Sequence, residues 1–117
     1  MTSPVQITFR GIQATPHVEE LIHEEAGKLM RLYDRITDCR VVVDQPHRHH
    51  RHGRLFQVKV QLTVPGDQLV AARAPDADHS HEELTVAVRG AFEAARRELQ
   101  RHLERRRDLD RSEGGAA

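Results

Sequence analysis

At 117 residues, 38% hydrophobic and 31% charged, the chain fits one soluble domain able to bury a single core. No apolar run reaches the length of a membrane span, and the stretch from Met1 to Ile7 lacks the basic start and apolar segment of a secretory leader. The single cysteine, Cys39, excludes an internal disulfide and makes a reducing cytoplasm the expected compartment, while aromatics at 3% argue against a platform for stacking bases.

A net charge of zero conceals segregation. Residues 47–64 carry four basic residues and no acidic ones, and residues 89–107 carry seven against three. The stretches between and around these islands are net acidic. Charge arranged in this way suits contact with a polyanion, although the neutral total weakens long-range attraction.

In chain order, Val5, Ile7 and Phe9 alternate with Gln6, Thr8 and Arg10, the period of a half-buried strand. Thr15-Pro16 then reads as N-cap and first helical residue, with Glu19 and Glu20 in the first turn. Val18, Leu21, Ile22, Leu29, Leu32 and Tyr33 follow at helical spacing, and Lys28, Arg31 and Arg35 fall toward the far end of this helix. Cys39 to Asp44, with three consecutive valines, predicts a short buried strand. Residues 46–53 form a polar loop rich in His and Arg.

The clearest strand follows, with Phe56, Val58, Val60, Leu62 and Val64 alternating with Gln57, Lys59, Gln61 and Thr63. Pro65-Gly66-Asp67 is a turn signal, and Leu69 to Ala72 returns as the hairpin partner. Ser80 and Glu83 have the spacing of a capping box. Behind them, Leu84, Val88, Ala91, Phe92, Ala95, Leu99 and Leu103 make the apolar stripe of a long second helix. Residues 108–117 show no pattern and read as a disordered tail beyond one domain over 1–107.

The order βαβββα predicts an α+β, two-layer sandwich: a four-stranded sheet with both helices on one face. Its other face, with Gln57, Lys59, Gln61 and Thr63, is then open to solvent. Phe9, Val58, Val60, Ala91, Phe92 and Leu99 are the expected core.

This order, the turn Thr63-Val-Pro-Gly-Asp67 and the stretch Val86-Ala-Val-Arg-Gly-Ala-Phe-Glu-Ala-Ala-Arg-Arg-Glu-Leu99 resemble the ribosome hibernation promoting factor family. That family is also called ribosome-associated inhibitor A or sigma modulation protein. The resemblance covers roughly residues 4 to 107 and points to a short form lacking the downstream dimerising domain. It implies a fold similar to a double-stranded-RNA-binding domain. It also implies binding to small-subunit ribosomal RNA in the channel for messenger and transfer RNA, with translation blocked and no catalysis or cofactor. By position, Lys28, Arg31 and Arg35 would contact RNA from the first helix, and Arg89, Arg96, Arg97, Arg101 and Arg105 from the second. The implied partner is the small ribosomal subunit, with no membrane or small-molecule substrate, and the protein itself a monomer or weak homodimer.

Each candidate has a plainer alternative. The helical arginines also suit a solvated face with i,i+4 pairs such as Glu93–Arg97. His47, His49, His50 and His52 invite a zinc or nickel reading, and a metal-binding module is the alternative function. Yet the ligands come from one short stretch without cysteine, and Arg48 and Arg51 repel a cation, so a basic loop touching phosphate is preferred. A third reading is an interaction domain whose acidic first helix, with Glu19, Glu20, Glu24 and Glu25, has cost it affinity for RNA. Cys39 reads as a small core residue and Ser80 as a cap. No nucleophile triad, phosphate-binding glycine loop or carboxylate pair is present.

Overall fold

The computed structural model describes residues 4–45, 56–73 and 84–116. The elements are β1 (Val5–Arg10), α1 (Pro16–Leu32), β2 (Asp38–Asp44), β3 (Gln57–Val64), β4 (Asp67–Arg73) and α2 (Leu84–Ala116). Thr15 starts α1 in the way its chemistry dictates. Its backbone is extended, at φ −114° and ψ 135°, and its hydroxyl accepts the Val18 N–H at 3.4 Å. Pro16 then occupies a position whose N–H has no helical partner to lose.

The helix stops short of where the charge pattern suggested. Tyr33 swings to φ −144° and ψ 108° while its N–H still bonds the Leu29 carbonyl at 3.0 Å. Arg35 therefore stands in the turn after α1, not on the helix. Leu32, expected in the buried stripe, is 45% exposed, and the fully buried Ala26 takes up core space earlier in the helix.

The sheet has the order β1-β2-β3-β4, with β1 parallel to β2 and the remaining pairs antiparallel. The parallel pair follows from α1, since a chain must cross over to lay a second strand alongside the first in the same direction. Two residues, Pro65 and Gly66, close the β3–β4 hairpin, where Gly66 holds φ at 78°, a conformation that a side chain would strain.

Register aligns the apolar residues in rows across the sheet: Val5, Cys39, Leu62 and Leu69; Ile7, Val41, Val60 and Ala71; Phe9, Val43 and Val58. From β2 to β4 these residues are buried, whereas Gln6, Thr8, Arg40, Gln57, Lys59 and Gln68 on the alternate positions are exposed. Burial on one side only, with α1 touching α2 directly, places both helices on that face. α2 lies over β3 and β4. Its Ala87, Val88, Ala91, Phe92, Ala95 and Leu99 are buried, matching the expected stripe. Phe9, expected in the core, is half-buried because β1 is an edge strand reached only by α1. Each fully buried aliphatic side chain contributes about 1.5–3 kcal/mol, so this layer accounts for most of the cohesion.

α2 continues as helix to Ala116, past the boundary at 107 where the sequence suggested a patternless tail. No proline interrupts residues 108–116, and each residue added to an existing helix gains a hydrogen bond without a new nucleus. The proposed capping box of Ser80 and Glu83, with His79 and His81, lies outside the described residues.

Candidate nucleic-acid interface

The two helices meet above the sheet and leave a groove between them. One stretch, of about 390 Å³, is lined by Glu25, Lys28, Leu29 and Leu32 of α1 and by Arg89, Phe92, Glu93 and Arg96 of α2. The floor is apolar, from Leu29 and Phe92, and the rim is charged. Toward the start of α1, Arg89 also faces His17, Glu20, Leu21 and Glu24. Beyond the end of α1, Tyr33 and Arg35 face Leu103, Arg106 and Arg107 across a recess of about 360 Å³.

This geometry divides the arginines chosen from sequence. Arg89 and Arg96 are seven residues apart and Arg107 eleven beyond Arg96, spacings that return to the same side of a helix. That side faces α1, and Lys28 joins it from across the groove. Arg97, Arg101 and Arg105 recur every four residues along a separate row that does not line the groove, though all three are exposed. Arg31 is exposed as well, with its guanidinium lying over Gly27. Arg48 and Arg51, and the candidate ligands His47, His49, His50 and His52, lie outside the described residues. Among the described residues no cluster of three His, Cys, Asp or Glu stands in a position to hold a metal ion.

Carboxylates temper the groove. Lys28 Nζ sits 2.7 Å from Glu25 Oε2 in a close charge contact, although the oxygen is removed from solvent and not aligned for a hydrogen bond. On α2, Arg101 pairs with Glu98 at 2.9 Å. The Glu93–Arg97 pair suggested by spacing is not formed, because Glu93 belongs to the groove and Arg97 to the outer row. The exposed Arg101–Glu98 pair is worth about 0.2–1 kcal/mol and yields readily to a stronger anion. Arg35, Arg89, Arg96, Arg106 and Arg107 form no ion pair with a side chain of residues 4–45, 56–72 or 84–107.

Arg106 and Arg107, which close the second basic island, also line this surface, though the sequence pattern did not single them out. Their place opposite Arg35 depends on how far α2 overhangs the end of α1, which no local pattern records. Cys39 is buried, as expected for a core residue. Burial, with the Asp38 carboxylate adjoining, pushes its thiol up to about 12 and removes it as a nucleophile.

Residues 5–107 match the family model described as sigma 54 modulation protein / S30EA ribosomal protein. A ribosome hibernation promotion factor from Deinococcus radiodurans is 31% identical over 98 residues, which is 82% of this chain and 47% of that protein. The chain thus spans about half the length of this curated relative. Among solved structures, a ribosomal subunit interface protein from Coxiella burnetii superposes with a TM-score of 0.69 at 15% identity, covering 86% of this chain and 97% of the other. The N-terminal domain of Thermus thermophilus Protein Y gives 0.65 at 16% identity, covering 83% and 94%. These two likenesses carry the fold, a four-stranded mixed sheet with two helices. Since the family match extends over residues 5–107, most of the chain, the chain belongs to the sigma 54 modulation protein / S30EA ribosomal protein family.

Proposed function

We propose that this protein binds the small ribosomal subunit in the cytoplasm and blocks translation by filling the channel that messenger and transfer RNA use. The observation that carries the reading is the family match over residues 5–107, which takes in all four strands, α1 and the part of α2 that bears Arg89 to Arg107. The physical mechanism asks for no bond to be made or broken. Guanidinium groups pair bidentately with phosphate oxygens, and a rigid two-layer body excludes transfer RNA by its volume. Lys28, Arg89 and Arg96 are the central contacts, with Arg31, Arg35, Arg97, Arg101 and Arg105 flanking them and Arg48 and Arg51 as further contacts.

Sedimentation with purified small subunits in moderate salt tests the reading. The protein is expected to travel with the subunit and to lower its occupancy by transfer RNA. Protein that stays at the top of the gradient with subunits in micromolar excess overturns it.

A further inference from the structure

The recess beyond the end of α1 differs from the rest of the inter-helix surface. Its walls include Tyr33, Arg35, Leu103, Arg106 and Arg107, so among the residues with described side chains three arginines surround an aromatic ring and a leucine with no carboxylate among them. The longer groove beside it mixes Lys28, Arg89 and Arg96 with Glu25 and Glu93. Asp34 and Glu104, each next to a lining residue in the sequence, are exposed and do not line the recess. None of the three arginines forms an ion pair with a side chain of residues 4–45, 56–72 or 84–107. Tyr33 is half-buried at the point where α1 ends, and Leu103 is half-buried on the last turn of α2 that still packs on the core.

We infer that this recess is a nucleotide subsite: a phosphate held by Arg35, Arg106 and Arg107, with its unpaired base laid against Tyr33 and Leu103. The inference rests on the ribosome-binding reading for its biological setting but not for its chemistry. Three arginines lining one recess favour a phosphate, and planar guanidinium groups match its oxygens. The apolar wall selects what is attached to that phosphate. An unstacked base has an aromatic face to offer, whereas a duplex keeps its bases inside. At about 360 Å³ the space falls at the small end of ligand sites, room for one nucleotide and not for a helix. A single ring does not make a stacking platform, so the subsite takes one base and the neighbouring groove tracks backbone.

The test uses the full chain and fluorescence anisotropy with a labelled single-stranded RNA, its duplex, and unlabelled mononucleotide and inorganic phosphate as competitors. Arg106→Gln with Arg107→Gln should weaken single-strand binding by about tenfold and flatten its salt dependence by roughly 0.7 for each phosphate no longer neutralised. Arg10→Gln with Arg40→Gln removes the same charge from the open face of the sheet, outside the recess, and should do much less. Tyr33→Leu should lose about tenfold on single strands and little on duplex, while Tyr33→Phe retains binding. Equal losses in the two arginine pairs, or Tyr33→Leu binding like wild type, overturn the subsite. If Tyr33→Leu does not fold by circular dichroism, the comparison of arginine pairs decides. Competition by mononucleotide but not by phosphate identifies a free nucleotide as occupant, and competition only by strand identifies RNA. Sedimentation of wild type with small subunits separates the two claims. Failure to sediment with intact oligonucleotide binding removes the ribosome and keeps the subsite; sedimentation unaffected in the recess variants, with the two arginine pairs equivalent, does the reverse.

Discussion

His102 Nδ1 on α2 lies 3.8 Å from Asp67 Oδ2 at the first residue of β4, so a buried imidazole faces the acidic corner of the β3–β4 hairpin. The residue is 5% exposed, the one polar side chain among the described buried residues, and its Nε2 has no hydrogen-bond partner. Asp67 is half exposed, and its other oxygen accepts the Gln68 N–H at 2.8 Å. At 3.8 Å the two side chains are in charge range and too far apart for a hydrogen bond.

An unpartnered buried nitrogen costs stability, so His102→Leu should leave the fold as stable as before or more stable by up to about 2 kcal/mol. Asp67→Asn should change stability by less than about 0.5 kcal/mol, since an exposed partner contributes little. Urea denaturation measures both. A loss above about 2 kcal/mol in His102→Leu would show that the imidazole is held by a bond absent from this arrangement.

Phe92 fills the junction of α2 with the floor of the inter-helix groove and is 3% exposed. Phe92→Ala should cost about 3–5 kcal/mol, because the cavity opens between two rigid layers that cannot close over it. The effect should appear as an earlier midpoint in denaturant with the slope kept. A cost below about 1 kcal/mol would mean that the groove, not the core, owns the ring.

The two arginine rows make opposite predictions for ribosome binding. Lys28→Gln, Arg89→Gln and Arg96→Gln together should lower affinity and flatten the salt dependence by nearly one unit per phosphate contact. Arg97→Gln, Arg101→Gln and Arg105→Gln remove the same charge from the outer row and should do less. Stability should move by under about 1 kcal/mol in either set, as these side chains are exposed. Glu25→Gln, which releases Lys28, should tighten binding. Equal effects of the two triples in sedimentation would erase the distinction between the rows.

Cys39 sets a dependence on alkaline pH. Its thiol ionises at about 12 in the folded chain against an ordinary value of 9.0, so the folded state favours the protonated form. That contribution is present in full below pH 9 and is lost as pH rises from there through 12. Cys39→Ala should lose the alkaline slope while costing packing at all pH values. Native protein should react with a thiol reagent at about pH 8, below the ordinary thiol range, only as fast as it unfolds; prompt labelling would place the sulfur at the surface.

Local pattern alone fixes the order of elements, since strand and helix periods span only a few residues. Val58, Val60, Leu62 and Val64 announce their face by alternation, and Thr15-Pro16 announces the start of α1 by its own hydrogen bonding. It determined the single-sided sheet for the same reason: polar residues on alternate positions leave only one face to cover. Tertiary structure alone decided which cations act together. Arg89 and Arg96 are equivalent to Arg97 and Arg101 in composition and neighbourhood, and only the crossing of α1 over one side of α2 separates them. The end of α1 was equally hidden, because Tyr33 leaves the helix to pack beside Leu103, a residue seventy positions away in the chain. That departure carries Arg35 off the helix and into the space facing Arg106 and Arg107. His102 escaped notice for a related reason. Its burial comes from the hairpin corner beneath α2, a contact made across the fold and written in no local pattern.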